Sequence, residues 1–280
     1  MDERGLGVRL QQARKAAGLT QQELCQKSGL SYSTLAKIER GAIKSPSIFT
    51  IQQIAEALDT TVDVLLAATG SKAATSQKKK SKTGVSFVYF DINGCLVRFF
   101  HRAFTAIAAD TGTSSDIVES TFWHYNDAAC KGNMTMAEFN QKLGECFGVD
   151  NFDWSNYYLS AVDPITETAE LLNWASAHYR VGLLSNIMPG LVTAMLEKGI
   201  IPKIAYDVII DSSEVKAIKP EPEIYRIATE KAGAKPAEIL LIDDSRTNLM
   251  AAEKMGWHVL WFDDYVPAES ARKIKEALEF

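Results

Sequence analysis

The chain has 280 residues, 46% hydrophobic and 23% charged, a mixture that excludes collagen-like, disordered and coiled-coil classes. No apolar run reaches the ~18–20 residues of a membrane span. The first residues lack the basic-then-apolar pattern of a secretory signal, and the four cysteines show neither a CxxC pair nor regular spacing, so the expectation is a cytoplasmic protein without membrane, disulfide framework or zinc. The net charge of −5 conceals an asymmetry: 13 basic against 7 acidic residues in 1–84, then 17 against 28 in 85–280. A basic front suits an anionic partner.

The front reads as helices. Leu6, Leu10, Ala13 and Ala17 recur at helical spacing until Gly18. Thr20-Gln21-Gln22-Glu23 has the capping-box pattern and opens a short helix to Ser28, after which Gly29 turns the chain. Ser31 caps a third helix that turns Leu35 and Ile38 inward and Tyr32, Ser33, Ala36 and Lys37 outward. Ser47 caps a fourth, with Ile48, Ile51, Ile54, Ala55 and Leu58 on one face, and Val62–Leu66 forms a fifth. Residues 1–69 are therefore expected to form an all-α domain. Residues 70–84 follow with five lysines and no acid, a flexible basic linker.

From residue 85 the period changes. Short apolar runs each end in polar residues: Phe87–Phe90 before Asp91, Val181–Leu184 before Ser185 and Asn186, Val208–Ile210 before Asp211, Ile239–Ile242 before Asp243 and Asp244, and Val259–Phe262 before Asp263. Helical stretches at 164–179, 188–199, 222–232 and 245–256 lie between them, the first opened by Asp163-Pro164. This alternation predicts a parallel sheet covered on both faces, with ligands at the carboxyl ends of its strands. Residues 98–160 interrupt it as an inserted helical cap, with Phe122, Trp123, Trp154, Tyr157 and Tyr158 as its core. The core domain is then 85–97 and 161–280.

Residues 20–41, TQQELCQKSGLSYSTLAKIERG, resemble the helix-turn-helix of the phage-repressor, XRE-like family. The resemblance implies a double-stranded DNA operator, read by the third helix in a major groove about 12 Å wide. It makes Tyr32, Ser33 and Lys37 the base-edge candidates and Gln21, Ser31, Thr34, Arg40 and Lys44 the phosphate candidates. Arg14 and Glu39 resemble the family's internal ion pair. Before the linker the domain carries 8 basic and 7 acidic residues, so one copy should bind weakly. A homodimer spanning half-sites about 34 Å apart would compensate.

The ordered motifs Phe90-Asp91-Ile92-Asn93-Gly94, Leu184-Ser185-Asn186, Lys219-Pro220 and Ile242-Asp243-Asp244 resemble the haloacid-dehalogenase (HAD) superfamily over residues 85–266. The expected architecture is thus an all-α helix-turn-helix domain joined to an α/β, Rossmann-like parallel-sheet domain with a helical cap. The resemblance makes Asp91 the nucleophile that forms an aspartyl-phosphate, with Mg2+ held by Asp91, Asp243, Asp244 and the backbone carbonyl of Asn93. Ser185, Asn186 and Lys219 would neutralise the phosphoryl group of a phosphorylated small molecule.

Asn93 departs from the pattern. Most family phosphatases carry a second aspartate there, which protonates the leaving oxygen and activates water. An amide cannot, and losing such help costs roughly 10²–10⁴-fold in rate. Three readings remain open: a regulator whose back domain binds, and slowly hydrolyses, a phosphorylated ligand; an active Mg2+-dependent phosphatase with an accessory DNA-binding domain; or assembly with a protein partner.

Overall fold

Among the described residues of the front unit are four short helices: α1 (Gly5–Ala16), α2 (Gln21–Ser28), α3 (Tyr32–Glu39) and α4 (Ile48–Ala57). The computed structural model describes residues 5–43, 46–58, 60 and 80–279, so Val62–Leu66, Lys44 and most of the basic linker lie outside the described residues. Thr20 and Glu23 form the reciprocal cap that the sequence predicts: Thr20 Oγ1 accepts from the Glu23 amide, and Glu23 Oε2 accepts from the Thr20 amide. Leu10, Leu24, Leu35, Ile38, Ile51 and Ile54 close one small core. Ala36, expected on the outer face, is buried.

The chain divides into two units, 1–77 and 78–280. In the second, five strands form one parallel sheet: β1 (Phe87–Phe90), β2 (Arg180–Ser185), β3 (Val208–Asp211), β4 (Ile239–Asp243) and β5 (His258–Trp261), in the order β3-β2-β1-β4-β5. Strand residues alternate between two buried faces, as a doubly covered sheet requires. Val88, Phe90, Leu183 and Ile242 join one core, and Phe87, Tyr89, Leu184 and Leu241 join the other.

The chain leaves the sheet after β1 into four helices: α5 (His101–Thr111), α6 (Ser115–Cys130), α7 (Met136–Phe147) and α8 (Trp154–Ala161). These are the cap. Its two connections run side by side. Arg98 N donates to Asp163 O at 2.8 Å and Ile165 N to Leu96 O at 2.9 Å. Phe122, Trp154 and Tyr158 are buried as cap core, whereas Trp123 is exposed. The return helix α9 (Thr166–His178) starts later than expected. Pro164 is not its first-turn residue, because it bridges to Val97 and is held in that paired connection.

Helices α10 (Leu191–Glu197), α11 (Ser212–Val215), α12 (Pro222–Ala232), α13 (Arg246–Lys254) and α14 (Pro267–Leu278) complete the unit. The sequence reading assigned neither α11, a single turn, nor α14. The latter carries five charged residues and buries a narrow stripe, Ser270, Ile274 and Leu278, spaced one helical turn apart.

Candidate functional site

On the front unit, α3 presents Tyr32, 54% exposed, with Ser33 and Lys37, both exposed. Other candidates are tied down. Ser31 Oγ caps α3 by accepting from the Thr34 amide at 3.2 Å, and it lies 2.8 Å from Thr34 Oγ1. Arg40 Nε donates to Ala36 O at 3.1 Å. Arg14 makes a two-point pair with Glu39, Nε to Oε1 at 2.8 Å and Nη2 to Oε2 at 3.0 Å. Gln21, a phosphate candidate at the start of α2, donates Nε2 to Glu39 Oε2 at 2.7 Å. A buried carboxylate needs its oxygens satisfied, and Gln21 completes that set, so its side chain serves the internal network.

In the back unit the strand register builds the site. Phe90 pairs with Ile242 on one side and Leu183 on the other. Asp91 therefore lies level with Asp243, one strand spacing (~4.8 Å) away, and beside the Ser185 end of β2. Lys219 reaches between the carboxylates: Nζ lies 3.0 Å from Asp91 Oδ2 and 2.5 Å from Asp243 Oδ2. All three residues are buried. Asp91 Oδ1 also accepts from the Ile92 amide at 2.7 Å, and Asp243 Oδ1 from the Ser245 amide at 2.8 Å. Asn248, which sequence reasoning missed, donates Nδ2 to Asp243 at 3.1 Å. Its signal was its position on the first turn of the helix that follows the motif.

Asp244 completes the group. Gly94 faces it, and a Cβ on Gly94 would lie 2.1 Å from Asp244 Oδ2. Only glycine leaves that room, and its φ of 80° also favours glycine. Among the described residues, Asp91, Asp243 and Asp244 each offer an oxygen within 4.8 Å of the others. Burial raises Asp91 to about 6, against the pull of Lys219. Asp244 rises to about 7, through burial and then the charges of Asp91 and Asp243. Burial alone would lower the Lys219 ammonium, but Asp243 and Asp91 outweigh it and the net shift is upward. Three carboxylates facing one cation leave an excess of negative charge, which a hard divalent ion with oxygen ligands would relieve.

Ser185 Oγ is buried and, among the described residues, makes no hydrogen bond of good geometry, although it sits close enough to help hold the Asp91 proton affinity down. An orphaned hydroxyl beside Asp91 is suited to a ligand oxygen. Asn186 differs from its expected role. Its amide is bonded at both ends to the Lys219 backbone, Nδ2 to the carbonyl and Oδ1 from the amide, each at 2.7 Å. It thus holds the lysine arm in register.

Asn93 Oδ1 accepts from Tyr158 Oη of α8 at 2.7 Å. The position that lacks an acid is therefore filled by a cap-to-core hydrogen bond. Tyr158 is buried, which drives its proton affinity up and makes it a donor rather than an acid. Phe100, Phe122, Trp154, Tyr158, Met188 and Leu191 close over Asn93 and Asn186, leaving a cavity of about 20 Å³, room for one water. Cys95, in the loop after Asp91, is buried and its thiol is pushed well up, as befits a packed side chain.

A five-stranded parallel sheet with carboxylates at the tips of β1 and β4, a lysine between them and a helical cap defines a HAD-type hydrolase. The family model for haloacid dehalogenase-like hydrolases matches residues 85–256, and that for helix-turn-helix proteins matches residues 10–65. The chain belongs to the haloacid dehalogenase-like hydrolase family and carries a helix-turn-helix DNA-binding domain in front. It is similar to (S)-2-haloacid dehalogenase 4A of Burkholderia cepacia, at 29% identity over 140 residues, which are 50% of this chain and 58% of that protein. The front is similar to the HTH-type transcriptional regulator SinR of Bacillus subtilis (strain 168), at 38% identity over 61 residues, 22% of this chain and 55% of that protein. This chain thus spans less than two thirds of either relative. Among solved structures, a HAD family enzyme of Bacteroides thetaiotaomicron in a magnesium complex has a TM-score of 0.58 at 27% identity, covering 65% of this chain and 94% of that one. An aspartate-to-alanine mutant of that enzyme, in complex with magnesium and inorganic phosphate, has a TM-score of 0.57 at 26% identity and covers 64% and 94%. Among the described residues, no helix is long and apolar enough to cross a membrane.

Proposed function

We propose that this protein is a cytoplasmic DNA-binding transcriptional regulator whose back domain binds a phosphorylated small molecule with Mg2+ and hydrolyses it slowly. The observation that carries the reading is the cluster of buried Asp91 and Asp243 and half-buried Asp244, with the Lys219 ammonium between the first two and the unpaired Ser185 hydroxyl close to Asp91. The magnesium complexes of the Bacteroides thetaiotaomicron enzyme add support.

Asp91, Asp243 and Asp244 would hold Mg2+, which neutralises phosphoryl charge when bound. Asp91 Oδ2 is the nucleophile: it bonds to phosphorus as the P–O bond to the leaving group breaks, and that oxygen takes the electron pair. Lys219 donates to the carboxylate and the transferred group, and Ser185 Oγ donates to a phosphoryl oxygen. Water then attacks phosphorus and frees Asp91. Asn93 can neither give a proton to the leaving oxygen nor take one from that water, so the first step is slow unless the leaving group is a stable anion, and the second is slow whatever has left. On the front unit, Tyr32, Ser33 and Lys37 read base edges while Ser31, Thr34, Arg40 and Lys44 lie along phosphates, and a homodimer covers two half-sites. A ligand in the back domain then adjusts operator affinity.

A second reading is carbon–halogen hydrolysis, since halide leaves without a proton and the dehalogenase resemblance covers half the chain. The deciding assay uses the full chain with MgCl2 and an activated aryl phosphate, beside Asp91→Asn and Asn93→Asp. Slow turnover that vanishes in Asp91→Asn and rises in Asn93→Asp is the expected result. No change in Asn93→Asp would remove the proton-donor argument. Halide release from a 2-haloacid without phosphate release would replace phosphoryl chemistry by the second reading.

A further inference from the structure

The cap meets the core at a further place, apart from its paired connections and the Tyr158–Asn93 bond. The C-terminal end of α6 and the turn after it, residues 130–132, sit on the segment 212–221. Ser212, fully buried at the start of α11, donates Oγ to Cys130 O at 2.6 Å and accepts from the Ile187 amide at 2.9 Å. Lys216 Nζ donates to Gly132 O at 2.6 Å, and Lys131 forms an ion pair with Glu221. Lys219 lies inside this segment. From the other side, Asn186 grips its backbone at both the amide and the carbonyl, and Asn186 is next in sequence to the Ile187 that bonds Ser212.

Two backbone features mark this as a fitted joint. A Cβ on Gly132 would lie 2.3 Å from Ser213 O and 2.4 Å from Lys216 Nζ, so only glycine lets the turn approach. Lys216 has φ 60°, a left-handed conformation that a residue with a Cβ adopts at a cost. That cost is met where its ammonium reaches the Gly132 carbonyl.

We propose that the 130–132 turn of the cap sets the position of Lys219, with Ser212, Lys216 and Glu221 as positioning residues for the lysine between Asp91 and Asp243. Cap movement is then transmitted to the charge balance of the site through this segment. The functional meaning rests on the phosphoryl reading above; the mechanical link does not.

Lys216→Gly is the cleanest variant, because Lys216 is exposed and glycine relieves the left-handed backbone while removing the tether. Lys131→Glu and Glu221→Lys, singly and together, test the ion pair by charge reversal. In the full chain, amide exchange at Lys219 and Glu221 should quicken about tenfold in Lys216→Gly with little change in Tm, since this opening is local. Inorganic phosphate with MgCl2 should bind about tenfold more weakly, the scale of losing an outer-shell support. The double reversal should recover most of what either single reversal loses. Wild-type exchange at Lys219 and Glu221 in folded Lys216→Gly would overturn the proposal, whatever the phosphate affinity. Quickened exchange in a protein whose wild type binds no phosphate would uphold the joint and sink the phosphoryl reading alone.

Discussion

The two units solve the same problem, holding a charged group where an anionic partner can meet it, by opposite means. In the front unit the reading surface is a single short helix. Its outward side chains are exposed to water, and a small internal network of Arg14, Glu39 and Gln21 sits behind it. In the back unit the charges are gathered from the ends of β1 and β4 and from the arm after β3, and are buried together. A solvated face tolerates the loss of one residue, whereas a buried constellation does not, because each remaining charge would be stranded in a poorly polarisable setting.

The strongest way to break this comparison is Lys219→Met. It strands Asp91 and Asp243, and the back unit should lose about 3–5 kcal/mol at neutral pH. Chemical denaturation followed by two probes should show the back transition move and the front transition stay. On the front unit, Lys37→Ala should leave stability unchanged and weaken operator binding by about 1–3 kcal/mol if the ammonium contacts a base. Equal binding of wild type and variant to every duplex would remove that assignment.

A smaller effect sharpens the contrast through pH. Asp91 and Asp244 are raised from an ordinary value of 3.8 to about 6 and about 7. The folded state therefore favours their protonated forms. Their stabilising contribution is fully present below about pH 4 and is lost as pH rises towards 7. In EDTA, Asp244→Asn should gain on wild type as pH rises through that window, with a slope of at most about 1.4 kcal/mol per pH unit. MgCl2 should shrink the gain by compensating the charge in wild type. Thermal melts from pH 4 to 8 read this directly, and a gap that ignores pH would show that the cluster is not under electrostatic strain.

Much of this was legible in the residues. The five strands announce themselves because a doubly covered sheet needs unbroken apolar runs, and the first, second and fourth runs end in polar residues of the site. The capping box at Thr20 and Glu23 also follows from local spacing, and the Arg14–Glu39 pair, 25 residues apart, was expected from the family resemblance alone. What was hidden is non-local. Gln21 looked like a phosphate donor because nothing in its neighbourhood reveals that Glu39, 18 residues on, has an oxygen to satisfy. Asn186 looked like a ligand donor because its partner is the backbone of Lys219, 33 residues away. Tyr158 was read as cap packing, and its hydroxyl turns out to close on Asn93 across 65 residues. Helix α14 was missed because its charged residues outnumber the apolar stripe it buries.

The most direct test is a calorimetric titration of inorganic phosphate into the full chain, in MgCl2 and again in EDTA, for wild type and Asp243→Asn. Binding that requires Mg2+ and disappears in a folded Asp243→Asn is the predicted result. Phosphate binding of equal strength in EDTA, or its survival in Asp243→Asn, would contradict a metal held by the carboxylates at the tips of β1 and β4.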